Sequence, residues 1–257
     1  MKLAAIATNT FRETVRDKVL YNLVLFAVLL VGASLLIGQL SISQDQKIIM
    51  DMGLSSMLLF GTLIAIFIGI GLVYKELDKR TVYSLLTKPI NRYEFILGKY
   101  CGLGLTLLVN SIVMAVSIAL ALLYLQRGFD RLQWALVPTA YLIFLELAVI
   151  TAIALLFSSF SSPALSATLT FMVFLVGNFS GDFRTYAAAS NSAVTKSVLY
   201  VLYYLLPNLS NFNFITVAAH GQVVPLKLVI SSTIYAIIYC AVLLCAAIMI
   251  FERRDFK

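Results

Sequence analysis

Glu146 lies near the middle of an otherwise apolar run, and its type and position most demand a chemical explanation. An ionised carboxylate at the centre of a bilayer costs at least about 2.5 kcal/mol even on the gentler insertion scales, so it must meet a polar partner or a proton. Thr106, Asn110 and Ser117 are spaced four and seven apart and share one helical face, while Thr139 lies two turns before Glu146 on its own face. One reading makes these five residues the lining of a translocation path between packed helices. The other makes Glu146 a protonated acid bonded to a neighbouring Ser, Thr or Asn, holding helices together. The sequence leaves both open.

No second constellation is competent for catalysis. The single histidine, His220, stands apart from any nucleophile, and neither G-x-S-x-G nor H-E-x-x-H occurs. Cys101, Cys240 and Cys245 fall singly inside apolar segments, which assigns them to packing rather than to metal or disulfide chemistry. The phosphate-binding pattern G-x-x-x-x-G-K-[ST] is absent, and the Gly98-Lys99 pair is followed by Tyr100. The chain is expected to hydrolyse no ATP, to hold no cofactor or metal, and to be no enzyme.

Glu146 must therefore be positioned by membrane helices. Of 257 residues, 61% are hydrophobic and 12% charged, with a mean hydropathy of +0.96, whereas a soluble domain carries roughly 25% charged residues. A soluble globular protein is excluded. At about 20 apolar residues per crossing, the length accommodates about six spans and no separate soluble domain. Apolar runs bounded by charge, Pro, Gly or Ser place the spans at about 20–40, 53–74, 98–125, 134–157, 163–179 and 226–251. The first is too long for the apolar core of a cleaved signal peptide and follows a charged segment. The expected fold class is an all-α integral membrane protein, a single transmembrane domain over 1–257.

Six spans put both termini on one side, and the basic residues say which. That side, including the connection after the second span, carries 13 Lys and Arg against 6 on the other, so it is expected to be cytoplasmic. The net charge of +7 collects at segment ends, where it meets anionic headgroups of the lipid bilayer. No basic stripe is interleaved with stacking aromatics, which excludes nucleic acid as a partner.

Three segments do not belong to plain spans. In 2–19, Leu3, Ala7, Phe11, Val15 and Val19 recur every four residues with the charges mostly elsewhere, as in an amphipathic interfacial helix. In 75–97, the second span can continue through Glu76, Leu77 and Thr81 to about Leu86 before Pro89 interrupts it and disfavours the helical region at Lys88. Asn91 then suits an N-cap, with Glu94 three residues on, opening a short helix from Arg92 to about Lys99. Its Tyr93, Phe95 and Ile96 are too apolar to face water alone, and form either a docking surface for a soluble partner or a self-packed turn. In 180–225, Val198–Leu206 and Phe212–Ala219 are apolar but too short to cross, and flank a Pro-Asn turn, as in an outer re-entrant hairpin. G-x-x-x-G at Gly98–Gly102 and Gly177–Gly181, and the acceptor patterns at Asn178 and Asn208, are weak signals on their own.

The layout resembles the permease subunits of ATP-binding-cassette transporters of the second exporter type. The resemblance covers essentially the whole chain: an elbow helix, six spans, a charged cytoplasmic loop after span two, and outer re-entrant helices between spans five and six. Its most specific stretch is YKELDKRTVYSLLTKPINRYEFILGKY, in which Glu76, Thr81, Leu85, Leu86, Pro89, Arg92, Gly98 and Lys99 occupy consensus positions; SSFSSPALS between spans four and five is also typical. Arg80 replaces the Gly that many members carry before the Thr. The Leu-Pro-Asn-Leu turn looks like the small bacterial permeases of the nitrous-oxide-reductase maturation type. The resemblance implies a two-fold dimer, here with a second copy of the chain, in a bacterial inner membrane. It also implies a separate ATPase subunit seated on a coupling helix after Pro89, with Glu76, Thr81, Lys88, Pro89, Asn91, Arg92, Tyr93 and Phe95 at that contact. A stand-alone channel or secondary transporter, and a non-transporting anchor for a cytoplasmic complex, are the rival readings.

Overall fold

A computed structural model describes residues 2–39, 45–78, 92–126, 131–190 and 192–253, and no strand occurs among them. Ten α-helices are described: α1 Lys2–Val15, α2 Lys18–Gln39, α3 Asp45–Asp78, α4 Arg92–Gln126, α5 Arg131–Ser158, α6 Pro163–Asn178, α7 Ser180–Ala189, α8 Ala193–Leu205, α9 Ile215–Ala219 and α10 Leu226–Arg253. A 3-10 turn, Leu209–Phe212, lies between α8 and α9.

By length and composition α3, α4, α5 and α10 can each cross a bilayer, and α6 with α7, bent by 54° at Phe179, makes a fifth if the pair is one broken span. The chain is thus a multi-pass membrane protein with four such helices, or five, among the described residues. A 22-residue helix, α2, covers the expected first span, but its described apolar stretch, Leu23–Ser34, is shorter than a crossing.

Helix ends depart from the apolar runs for local reasons. The first helix stops at Val15 rather than continuing to residue 19, because Arg16 and Asp17 close a turn onto the carbonyls of Arg12, Glu13 and Thr14 before α2 begins. α3 starts eight residues before the run predicts, with Asp45 in its first turn, where the helix dipole favours an acid. The expected short helix at Arg92 and the third span are one helix of 35 residues, since nothing between Tyr93 and Lys99 interrupts the backbone bonds. The serines of SSFSSP take the last carbonyls of α5: Ser158 donates to Leu155, Ser159 to Leu156 and Ser161 to Phe157. Pro163 then opens α6 at a position where its missing N–H is no loss.

The central helix is α5, which packs against α3, α4, α6 and α10 and is also met by α9 and the 3-10 turn. Leu142, Ile143, Leu147, Ile150 and Ala154 are fully buried there. Glycines set two close approaches. A Cβ on Gly98 would lie 2.6 Å from Ile6, and one on Gly102 would lie 2.7 Å from the carbonyl oxygen of Ala7, so α1 lies along the start of α4. A Cβ on Gly177 would stand 2.9 Å from Pro207 O, and one on Gly181 2.7 Å from Ser210 Oγ, so the turn after α8 is pressed onto the α6–α7 break. The two G-x-x-x-G motifs are therefore seams within one chain. Leu209 and Phe212 are buried by that turn, and Gly221, at φ 72°, adopts the left-handed conformation that closes the chain after α9.

Candidate functional site

Glu146 sits at the midpoint of α5 with 0% of its surface exposed. Its partner is Asn178, the last residue of α6, whose Nδ2 donates to Glu146 Oε1 at 2.8 Å and lies 3.2 Å from Phe174 O. Glu146 Oε2 and Asn178 Oδ1 are buried and have no hydrogen-bond partner among the described residues.

The other four candidates do not converge on the carboxyl group. Thr106 donates to Gly102 O at 3.1 Å, Ser117 to Val113 O at 2.9 Å and Thr139 to Ala135 O at 2.9 Å, so each hydroxyl is bonded to its own helix. Asn110 is buried on α4 with its Oδ1 unpartnered among the described residues. Helical spacing correctly groups Thr106 and Asn110 on a buried face, but Ser117 is only half-buried. Asn178 was missed because its visible signal was an Asn-Phe-Ser acceptor pattern. The signal that finds it is an amide inside an apolar segment, available to another span's carboxyl group.

Beyond Asn178 the polar contacts continue along the α6–α7 break. Asn208 Oδ1 accepts from Ser210 Oγ at 2.6 Å and lies 2.8 Å from Ser180 Oγ, and Asn208 N–H donates to the hydroxyl oxygen of Tyr235 on α10 at 2.9 Å. Ser232 Oγ donates to Asn211 O at 2.9 Å. Both sequence acceptor asparagines are thus engaged in internal bonds.

The second group of candidates lies at the end of the bundle that holds α1. Thr81, Lys88, Pro89 and Asn91 fall outside the described residues; Glu76 lies near the end of α3 and Arg92 begins α4. Tyr93 is 44% exposed. Phe95 faces inward instead, its ring stacked on Phe251 of α10 with centroids 5.8 Å apart and planes 15° from parallel. Ile96 is buried. Four positions beyond Phe95, Lys99 is almost wholly buried, with Nζ 3.9 Å from Glu13 Oε2 on α1 and 5.6 Å from the Phe95 ring centre. A void of about 10 Å³ lies among Phe95, Lys99, Leu155, Ser159 and Phe251. The first turns of α4 are thereby fastened to α1, to the end of α5 and to the end of α10.

No curated protein matches the chain. Residues 4–256 match the family model described as ABC-2 family transporter protein, which takes in both the Glu146 region and the α4 junction. Four or five span-length helices, a carboxyl group enclosed among them and a match over nearly the whole length agree: the chain belongs to the ABC-2 transporter family, as a membrane-embedded ABC transporter permease.

Proposed function

We propose that the chain is one half of a two-fold permease whose transport is driven by a separate ATPase subunit held at the Tyr93 end of α4. The observation that carries this reading is the continuity of α4. A helix of 35 residues rises about 1.5 Å per residue, so one rigid arm about 50 Å long joins the segment after Pro89 to the heart of the bundle. Its first turns are clamped by Lys99, Glu13 and the Phe95–Phe251 stack, so a displacement of Arg92 and Tyr93 is delivered to α1, α5 and α10 together.

In this proposal Glu76, Thr81, Lys88, Pro89, Asn91, Arg92 and Tyr93 form the contact with the ATPase, and Phe95 braces it from inside. The six spans are α2, α3, α4, α5, the broken α6–α7 unit and α10, with both termini in the cytoplasm of a bacterial cell and the α8–α9 region at the outer face. Thr106, Asn110, Ser117, Thr139 and Glu146 mark the path between α4 and α5, which opens when the two half-bundles rock apart. For ATP to drive that rocking, the ATPase must contact the permease differently in its nucleotide-bound and nucleotide-free states.

The test is purification from native membranes in mild detergent. An ATPase of the nucleotide-binding-cassette type is expected to accompany the permease in equal number, and the reconstituted complex to move solute only when ATP is hydrolysed. Solute flux by the isolated chain, or its recovery with no such companion, overturns the proposal.

A further inference from the structure

The surroundings of Glu146 hold too many acceptors for their donors. The Asn178 amide nitrogen Nδ2 lies within reach of both Glu146 Oε1 and Phe174 O, which take up its two hydrogens. Glu146 Oε2 and Asn178 Oδ1 are shielded from solvent and lack any partner among the described residues. Neither an ionised carboxylate nor an amide oxygen can donate, so the two cannot satisfy each other. Each, however, is bonded to the same carbon as an atom of the 2.8 Å Asn178–Glu146 bond, which holds the two orphan oxygens on neighbouring groups. A single positive charge between them would satisfy both. The place is consistent with such a ligand: Glu146 is fully buried halfway along a span-length helix, no described basic side chain pairs with it, and Asn178 ends a helix at a 54° break. Carboxyl groups and interrupted helices at mid-depth are where membrane proteins hold protons and alkali cations.

We propose that the Glu146–Asn178 pair is a binding site for a single positive charge, a proton or a small monovalent cation, held between Glu146 Oε2 and Asn178 Oδ1. The occupied site joins α5 to the α6–α7 break by two contacts where a bare carboxylate supplies one. This holds whether or not the translocation path runs beside α5.

The protein reconstituted in phosphatidylcholine vesicles, measured by infrared spectroscopy in H₂O and D₂O with sodium, potassium or choline chloride, decides the matter. If the ligand is a proton, the wild type shows a carboxylic-acid carbonyl band that shifts in D₂O and is missing from Glu146→Gln. If it is a cation, that band is absent, but sodium or potassium raises the thermal unfolding midpoint above its value in choline, and Glu146→Gln abolishes the rise. In either case Glu146→Gln, whose amide can itself donate to Asn178 Oδ1, unfolds in choline within about 2 °C of the wild type or above it. Should Glu146→Gln not fold, Asn178→Leu removes Oδ1 while leaving the carboxyl group, and is expected to shift the acid band or to abolish the cation effect. A Glu146 signal in the ionised-carboxylate region together with an unfolding midpoint indifferent to the cation overturns the proposal.

Discussion

Tyr93 and Phe95 stand two positions apart on one helix and so face different ways, and their surroundings assign them opposite duties. Tyr93 keeps 44% of its surface exposed, whereas the ring of Phe95 lies against Phe251 and under the Lys99 ammonium group. Removing a packed aromatic ring leaves a cavity, so Phe95→Ala is expected to destabilise the protein by about 3 kcal/mol. Tyr93→Ala removes a ring that is nearly half exposed and is expected to cost clearly less than Phe95→Ala, about 1 kcal/mol at most. If Tyr93 touches the ATPase, the order inverts for binding: Tyr93→Ala loses most of the captured ATPase, while folded Phe95→Leu retains it. Denaturant unfolding in micelles and recovery of ATPase on immobilised permease read the two effects, and equal retention by both variants removes Tyr93 from the contact. Residue type alone gave both rings the same weight, because what separates them is Phe251, more than 150 positions away in the chain.

The seam between α1 and α4 rests on two small residues, and a third glycine nearby supplies the control. A methyl group on Gly102 meets the Ala7 carbonyl oxygen at 2.7 Å and Thr10 Cβ at 2.6 Å, and a backbone oxygen cannot swing aside as the tip of a side chain can. At Gly104, two residues on, nothing lies within 4 Å. Gly102→Ala is therefore expected to cost about 1–3 kcal/mol and to loosen α1, seen as faster proteolysis near Arg12 and Arg16 in detergent. Gly104→Ala is expected to gain about 0.5–1 kcal/mol through helix propensity alone. Equal effects at the two sites count against the seam. The same pair marks how far the elements could be read from sequence. Apolar runs located α3, α4, α5 and α10, and prolines marked the start of α6 at Pro163 and the stop at Pro207, because length, periodicity and a missing N–H are local properties. The continuity of α4, the embrace of α1 by Gly98 and Gly102, and the bond from Glu146 to Asn178 depend on which helices become neighbours. A bare Gly-x-x-x-Gly or Asn-x-Ser does not name its partner. α7 was equally unreadable, since SGDFRTYAAA lacks an apolar face and is held by packing against α8.

For the molecule as a whole, the question is how a push at one end reaches a carboxyl group enclosed near the middle. α4 and α5 pack along each other, α5 carries Glu146, and α10 is joined both to α5 and, through Phe251, to the first turns of α4. A force on the start of α4 thus has two routes into the bundle, one along α4 to α5 and one through Phe251 to α10. What the bundle cannot supply is the grip. Lys88 and Arg92 flank Pro89 at the proposed contact and are the cations best placed to meet an acidic rim on the ATPase, where complementary charge fixes register and suppresses wrong docking. Reversing both, Lys88→Glu with Arg92→Glu, changes charges at and before the first residue of α4 and touches no apolar run, so helicity and unfolding midpoint are expected to match the wild type. ATP hydrolysis by the recovered complex is expected to persist, while solute movement per ATP falls by at least about tenfold, the effect of losing roughly 1.4 kcal/mol of differential contact between the two ATPase states. Measuring hydrolysis and transport on the same vesicles separates this from simple loss of the subunit, in which both decline together. Transport per ATP unchanged in the double reversal would mean that the drive enters elsewhere, with α1 and its exposed Arg12 and Arg16 the next surface to reverse.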